Sequence, residues 1–356
     1  MLRYCFLLFA AGLMPIALAA EINIPASVPT PVAETAVTYR VQQVVTLAEI
    51  PEGSKQVRLW VSIPGDEANQ KLLDLQVVSC PGEWSINTDE DHRGQFLDIT
   101  IDRPEADHVD VAVDFTVTRQ PVFTAIDPEQ VLPMTDSLRR MLAEHLVKDS
   151  PHMSVTPDIQ KRADFACEDD QNVATQARSL LAYVANTVDH YSISLDEKMP
   201  ECGVGDAGTC LGQGGGCCTD LNSLFISLAR ARGIASRLQM GYRLQEENVD
   251  KTVDAGYRCW VEYYVPNYGW ISADVVEADR KDGLGPNRWF TGVTARRVWL
   301  NQGREFRLAD DQVADRVNHM TLGYAEIDGK PIRLLPEGDL PAQITRRIHF
   351  VEVDGR

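Results

Sequence analysis

A glycine-rich loop leads through two adjacent cysteines into an amphipathic helix, and no other part of this chain limits its fold so strongly. Glycines at 214–216 precede Cys217 and Cys218, and apolar residues then recur at helical spacing until Gly233. The pattern predicts a helix over residues 218–232, since a glycine commonly ends a helix. Unpaired N–H groups and the positive dipole end of a first helical turn stabilise a thiolate. Cys218 is therefore a candidate nucleophile.

The cysteine content leaves other uses of these sulfurs open. Beyond the first twenty residues there are seven cysteines, and four fall within seventeen residues: Cys202, Cys210, Cys217 and Cys218. In an oxidising compartment Cys217 and Cys218 are alternatively structural thiols or disulfide partners of Cys202 and Cys210. The spacing does not match the paired knuckles of structural zinc sites, and the loop lacks the Gly-Lys-Ser/Thr of a phosphate-binding loop. The sequence implies no metal and no organic cofactor.

The first twenty residues have the pattern of a secretory signal. Arg3 precedes an apolar run over residues 6–18, which is followed by Ala19 and Ala20. The run is well short of the roughly 20 residues that a membrane-spanning helix needs, so we expect a signal peptide and no membrane span. The protein is then exported, either to the periplasm or to the extracellular medium. A formal net charge of −18 disfavours nucleic acid and anionic lipid as partners.

The residue patterns change along the 356 residues of the chain, which is long enough for two or more domains. Short alternating apolar runs between residues 37 and 119 predict a β-sandwich, and mixed helix and strand patterns follow it. The fold class predicted is therefore α+β. The predicted parts are a signal peptide at 1–20, a β-sandwich domain at 21–120, a connecting segment at 121–165, a second domain at 166–310 and a C-terminal β extension at 311–356.

Two stretches of the second domain resemble the core of the transglutaminase-like superfamily. They read GGGCCTDLNSLFISLARARGIASRLQMGY and YRCWVEYYVPNYGWISADVVEAD. The family pattern runs G-x-C-x-D, a helix ending in R-x-x-G-I-x-x-R, then H-x-W-x-E and G-W-x-x-x-D, and the resemblance extends from Asp170 to Glu277. It implies a papain-type fold in which a nucleophile helix packs on an antiparallel sheet. It also implies chemistry on peptide bonds or glutamine side-chain amides through a cysteine thioester.

Carried over by position, the resemblance places the nucleophile at Cys218 and the carboxylate that orients a catalytic histidine at Asp274. The W-x-E that follows the histidine is present, but the histidine position itself holds Arg258. The residues predicted at the substrate side or rim of the site are Gly216, Cys217, Trp260 and Glu262.

Arg258 determines the functional interpretation. An imidazole takes the thiol proton and returns it to the leaving amine, whereas a guanidinium, with a pKa above ~12, stays protonated and cannot do so. Strand alternation and a following hairpin bring Arg258 within reach of Asp274, so we expect an ion pair beside the Cys218 thiol. The neighbouring Cys259 is expected on the opposite strand face, as a small buried apolar residue.

The sequence leaves three functional hypotheses open. Arg258 favours a catalytically degenerate protein that binds polypeptide or a protein partner. The alternative is an active cysteine protease or acyltransferase that works through a Cys218 thioester. The histidines considered as substitutes are His190, just before the cysteine loop, and His319, in the C-terminal tail, and neither holds an equivalent strand position. A third hypothesis is a cell-envelope scaffold held by disulfides. No calcium-binding loop is recognisable.

Overall fold

The computed structural model describes residues 35–89, 91, 93–192, 204–279, 286–332 and 343–353. The predicted signal peptide at 1–20 and Cys202 lie outside these residues. The strands are β1 (Val37–Ala48), β2 (Gln56–Ile63), β3 (Gln70–Ser79), β4 (Glu83–Thr88), β5 (Gln95–Asp102), β6 (Val109–Arg119), β7 (Val122–Phe123), β8 (Asp189–His190), β9 (Gly215–Gly216), β10 (Ser236–Arg243), β11 (Thr252–Asp254), β12 (Arg258–Val265), β13 (Gly269–Ala273), β14 (Gly292–Val293), β15 (Arg297–Gln302), β16 (Tyr324–Ile327), β17 (Lys330–Pro331) and β18 (Gln343–Val353).

Most of the helices fall in the middle of the chain. They are α1 (Asp136–Met141), α2 (Pro157–Cys167), α3 (Val173–Thr187), α4 (Ala207–Gln213), α5 (Cys218–Ala231), α6 (Val275–Asp279) and α7 (Pro286–Trp289). Among the described residues, none of the helices has both the length and the apolar character needed to cross a bilayer.

Two antiparallel sheets form a β-sandwich around one apolar core. Their strand orders are β11-β18-β1-β6-β3 and β17-β16-β2-β5-β4. Side chains from both sheets are fully buried in this core, among them Val41 and Val113 from the first and Leu59 and Ile99 from the second. Burial alternates along β6, as expected for a strand with one face on a core. The predicted α+β class with a strand-rich N-terminal region is confirmed.

The C-terminal strands belong to the sandwich sheets. β18 pairs antiparallel with β1, from Thr38 opposite Val353 to Ala48 opposite Gln343. β16 pairs with β2, and β11, from the middle of the chain, pairs with β18. The sequence pattern predicts β structure in the C-terminal extension, and the structure gives that β structure its partners.

A four-stranded antiparallel sheet, β13-β12-β10-β15, supports the helices. Every residue of α5 is buried, because the helix packs against β10 and β12 on one side and against α2 and α3 on the other. Leu221 and Phe225 of α5 share an apolar core with Val261 and Tyr263 of β12. The predicted arrangement, a nucleophile helix packed on an antiparallel sheet, is confirmed.

A polar contact ties the sandwich to this sheet. The Gln70 side chain accepts a hydrogen bond from the Trp299 N–H at 2.8 Å and donates one to the Trp299 carbonyl at 2.9 Å. The Trp299 indole in turn donates to Gln239 Oε1 at 2.8 Å. Val298 and Leu300 on the same strand lie in the sandwich core. β15 therefore belongs to the four-stranded sheet, and part of it packs into the core of the β-sandwich.

Two glycines shape the loop that enters α5. Gly214 ends α4 with φ at +76°, in the left-handed region that glycine occupies without strain. A Cβ atom at Gly216 would lie 2.7 Å from the Asp220 carboxylate, so a larger residue does not fit unless that side chain moves. β9 pairs in parallel with β8 and sets Gly216 opposite His190. These constraints hold the loop beside the first turn of α5.

Candidate active site

Cys218 is the first residue of α5, and Cys217 is its N-cap. The Cys217 N–H donates to Asp220 Oδ2 at 2.9 Å, and the Cys217 thiol donates to the same oxygen at 3.1 Å. The other carboxylate oxygen, Oδ1, accepts from the Asp206 N–H at 3.1 Å. The aspartate of the C-x-D motif therefore caps the helix and holds the loop that precedes the thiol.

The Cys218 side chain is almost fully buried, with 4% of its surface exposed. A hydrogen bond with Cys217 and the nearby Arg258 guanidinium lower the pKa of Cys218, but a hydrogen bond with Cys259 and burial raise it more. The net result is a pKa well above the ordinary thiol value. Helix position favours a thiolate, and burial reverses that preference. Cys218 is therefore a protonated thiol at neutral pH.

Arg258 begins β12 and is also buried, with 6% exposed. Its Nη2 lies 2.8 Å from Glu277 Oε1 and 3.8 Å from Asp274 Oδ1. Burial lowers the pKa of Arg258, but the Asp274 and Glu277 carboxylates raise it, and the net shift is upward. The guanidinium therefore stays charged. The ion pair with Asp274 is present, but Glu277 is the nearer partner.

Asp274 is fully buried, and both of its oxygens accept hydrogen bonds. Oδ2 accepts from Arg297 Nη1 at 3.0 Å, and Oδ1 accepts from the N–H groups of Val276 and Glu277 at 3.1 and 3.0 Å. Burial raises the pKa of Asp274, but Arg258 and Arg297 lower it, and the net shift is downward. Asp274 is therefore an ionised carboxylate that caps α6 and pairs with arginine.

Sequence reasoning missed Glu277 and Arg297 as members of this charged cluster. Glu277 follows Asp274 by three residues, so a helical turn after Asp274 puts both carboxylates on one face. That spacing is a signal that the sequence carries. Arg297 comes from β15, more than twenty residues downstream, and its contact depends on the order of strands in the sheet.

Trp260 and Glu262, predicted at the rim, have 1% and 5% of their surface exposed. The Arg297 guanidinium lies 5.2 Å from the centroid of the Trp260 ring. Glu262 Oε2 accepts from Arg237 at 2.7 Å and from Gln239 at 2.6 Å. Both side chains therefore make contacts inside the sheet. Gly216 and Cys217, the other two predicted rim residues, lie directly before Cys218 and are also buried.

His190 and His319 both lie near the cysteine loop. His190, on β8, is the strand partner of Gly216, and its Nδ1 lies 2.8 Å from Ser192 Oγ. The His319 ring stacks on Tyr257 with centroids 5.3 Å apart. Burial, with a smaller effect of a nearby arginine, lowers the pKa of His319 to about 4.

Tyr257 links His319 to the cysteines. Its hydroxyl lies 3.2 Å from Cys217 Sγ and accepts from Thr219 Oγ1 at 3.3 Å. Cys259 is buried as expected, but it lies close to the residues around Cys218. Its sulfur lies 3.3 Å from Thr219 Oγ1, and Cys259 is one of the groups that raise the pKa of Cys218. The groups that shift the pKa of the Cys218 thiol are thus two sulfurs and a guanidinium.

The family comparison agrees with this geometry. The model of the transglutaminase-like superfamily, Transglut_core, matches residues 161–275, which contain α5, β10, β12 and β13. This part of the chain is a transglutaminase-like core domain. The match ends at Val275, directly after Asp274, so it contains the three positions that hold Cys218, Arg258 and Asp274 here.

Similarity to known proteins extends beyond the core domain. An uncharacterized protein of Haemophilus influenzae is 25% identical over 316 residues, which cover 80% of this chain and 84% of the relative. The crystal structure of a candidate cysteine protease from Cytophaga hutchinsonii has a TM-score of 0.59 at 18% identity. That similarity covers 91% of this chain and 93% of the other. It shows that sandwich and core domain occur together in a fold that another chain shares.

Proposed function

We propose that this chain is an exported binding protein whose transglutaminase-like domain does not turn over amide bonds efficiently. Its partner is an extended polypeptide or a protein surface, the class of ligand that the papain-type fold implies. The proposed export rests on the charged, apolar and small-residue pattern of residues 1–20.

One observation supports the proposal: Arg258 is a buried guanidinium, and it stands at the sequence position where the family pattern has histidine. Amide cleavage through a thioester needs a group that removes the thiol proton and later protonates the leaving amine. Arg258 is held in its charged, protonated form by Asp274 and Glu277, so it neither accepts the thiol proton nor releases a proton near neutral pH.

The state of the thiol supports the same conclusion. Cys218 is buried and its pKa is raised, and the groups that shift its pKa most are Cys217, Cys259 and Arg258. None of these three is an imidazole. A buried, protonated thiol is a poor nucleophile, because the thiolate is the attacking species.

Turnover by the reduced, purified protein tests the proposal. The substrates are casein with a labelled primary amine, for acyl transfer, and a peptide library read by mass spectrometry, for hydrolysis. We expect no turnover above that of the Cys218→Ala variant. Turnover that requires a reduced thiol and disappears in Cys218→Ala would overturn the proposal.

Two substitutions at the same position sharpen this test. Arg258→His restores a group that can exchange protons, and Arg258→Gln removes the charge without restoring one. We expect activity to appear in the histidine variant only, after circular dichroism has shown that both variants are folded. Equal activity in both variants would show that the charge of Arg258, and not the missing imidazole, suppresses turnover.

A second candidate function, an active cysteine hydrolase or acyltransferase, is favoured by His319. Its Nδ1 is buried without a hydrogen-bond partner among the described residues, and its ring is neutral at pH 7 and stacks on Tyr257 beside the cysteine loop. Wild-type turnover that is lost in His319→Gln as well as in Cys218→Ala would favour this alternative. Turnover unaffected by His319→Gln would exclude His319 as the base.

A further inference from the structure

β4 is the edge strand of one sheet of the β-sandwich. It pairs antiparallel with β5 along its whole length, from Glu83 opposite Thr100 to Thr88 opposite Gln95, without a register shift. On its other side the described part of the chain supplies no strand. A regular edge of this kind presents backbone N–H and C=O groups at strand spacing. The backbone of β4 can therefore pair with one more strand.

The other edges of the sandwich carry features that hinder strand addition. β17, at the opposite edge of the same sheet, is the dipeptide Lys330–Pro331, and proline has no N–H to donate. In the facing sheet, the edge strand β3 carries two register shifts, and the edge strand β11 has three residues. β4 has six residues, with no proline, no lysine and no register shift. Natural sheets usually protect such an edge, and this sheet leaves it open.

Two large apolar side chains project from β4 beside this edge. Trp84 and Ile86 are 46% and 45% exposed. They lie opposite Ile99 and Leu97, which are fully buried in the sandwich core. Residues directly opposite in an antiparallel pair lie on the same face of the sheet. The core face of the sheet therefore continues past β5 as an exposed apolar strip, which an added strand with apolar residues at alternate positions would cover.

A cleft lies beside the second half of β4. It has a volume of about 600 Å³, and its walls include Ile86, Thr88 and the segment 307–310. A strand added to β4 would pass this cleft, so its side chains have space next to Ile86. The edge thus offers an extended chain backbone partners, an apolar strip and room for side chains.

Charge selects among the possible occupants of this edge. Glu83 at the start of β4 and Asp310 on the cleft wall are exposed carboxylates. Arg307 lies on the same wall and donates to the Asp310 carbonyl at 2.9 Å. The whole chain has a formal net charge of −18. Two copies of so acidic a chain repel each other, whereas a cationic peptide is attracted to the edge.

We propose that β4 binds an extended, cationic segment of another polypeptide as an added strand of the sandwich sheet. Backbone hydrogen bonds hold the segment, and its apolar residues at alternate positions cover Trp84 and Ile86. Lysine or arginine at the intervening positions lies on the same face as Glu83. This inference goes beyond the proposed function. It uses neither Cys218 nor Arg258, so turnover assays and binding to β4 can fail separately.

Binding of a labelled heptapeptide of alternating lysine and valine, measured by fluorescence anisotropy, tests the proposal. We expect saturable binding to the wild-type protein. The corresponding peptide of glutamate and valine should bind about tenfold more weakly or worse, because it lacks charge complementarity. The lysine peptide with N-methylated interior amides should lose as much. It keeps the charge and the side chains but has lost its backbone donors.

Two exposed apolar residues provide matched variants of the protein. Ile86→Lys places a charge on β4, and Leu73→Lys makes the same change on β3, where the side chain is 58% exposed. We expect Ile86→Lys to weaken binding of the lysine peptide about tenfold or more, and Leu73→Lys to change it less than about twofold. Circular dichroism establishes that both variants are folded. The peptide controls use the wild type, so they do not depend on either variant.

Four results would overturn the proposal. They are failure of the lysine peptide to bind the wild type, equal binding of the methylated and unmethylated peptides, and equal binding by wild type and Ile86→Lys. The fourth is a wild-type dimer in analytical ultracentrifugation that Ile86→Lys dissociates, because the β4 edge then pairs with a second copy of the chain.

Discussion

At the scale of single residues, Arg258 has two effects that must be separated. Under the proposed function it cannot transfer the thiol proton, and in the structure it neutralises two buried carboxylates. Glu277 and Asp274 are 2% and 0% exposed. A buried ion pair adds little net stability compared with apolar packing, but removing one partner leaves a buried charge without compensation. Arg258 is therefore a structural residue, whatever its effect on the chemistry of the site.

Replacing Arg258 by Gln should destabilise the protein by about 3 kcal/mol, measured as the free energy of unfolding in urea. The loss arises because Glu277 and Asp274 lose their shared cation. Arg243→Gln is the control, since Arg243 also pairs with Glu277, at 3.2 Å, but its side chain is 35% exposed. Its loss should stay below about 1 kcal/mol. Equal losses in the two variants would show that Arg258 contributes no more than a surface ion pair.

At the scale of elements, the loop before α5 is built around Gly216 and Asp220. The carboxylate caps the helix by accepting the Cys217 N–H, and it occupies the space where a side chain at 216 would begin. The position of the thiol thus depends on the absence of a Cβ two residues before it.

Gly216→Ala should lower the free energy of unfolding by about 1–3 kcal/mol, because the new methyl group displaces the Asp220 carboxylate. Gly212→Ala is the matched control in the neighbouring α4, where a Cβ meets nothing within 4 Å. That substitution should stabilise the protein by up to about 1 kcal/mol, since alanine is the better helix former. Chemical denaturation of both variants measures the difference. A neutral Gly216→Ala would mean that the loop adapts to a side chain.

The same elements show what the sequence could predict. The predicted helix at 218–232 differs from the observed Cys218–Ala231 by one residue, because its apolar period and Gly233 are local signals. The residue patterns do not predict β3 and β4. β3 carries two register shifts that interrupt its alternation, and β4 is exposed along nearly all its length. Alternation of apolar and polar residues identifies a strand only where its register is continuous and one of its faces is buried.

In the site, too, the sequence predicts some of the neighbours and not others. Family order and spacing bring Cys218, Arg258 and Asp274 together without knowledge of the packing. The influence of Cys259 on the Cys218 thiol was not predictable, because alternation assigns Cys259 to the other face of β12. The thiol lies in the first turn of the helix, where both Arg258 and Cys259 shift its pKa. Contacts at element ends depend on packing angles that no sequence period encodes.

At the scale of the whole molecule, the chain leaves the sandwich, builds the core domain and returns to complete the sandwich. Arg346 of β18 donates to the carbonyls of Thr321 and Gly256, which ties the last strand to the segment before β12. His319 lies in the returning segment and stacks on Tyr257. His145, from the segment that connects sandwich and core, packs edge-on against Trp270 with centroids 4.9 Å apart. Both connections therefore pack a histidine against an aromatic ring of the core domain.

These two histidines should make the folded state sensitive to mild acid. Burial lowers the pKa of both to about 4, with neighbouring arginines adding to the effect: Arg237, Arg230 and Arg93 for His145, and Arg304 for His319. In the unfolded chain an imidazole has a pKa near ~6.5, so the unfolded state binds more protons between these values. Stability is therefore complete above about pH 6.5 and falls as the pH drops toward 4.

The variant His319→Gln isolates one of these contributions. Between pH 7 and pH 4 the wild type should lose about 3 kcal/mol more of its free energy of unfolding than the variant does, because glutamine takes up no proton. Urea denaturation at half-unit pH steps measures both profiles, and the difference between them should develop between pH 6.5 and 4. His108→Gln is the control, since that imidazole is exposed on the surface. It should leave the steep part of the wild-type profile unchanged. Parallel profiles for wild type and His319→Gln would mean that His319 takes up its proton without leaving its site, and that its burial against Tyr257 does not govern the response to acid.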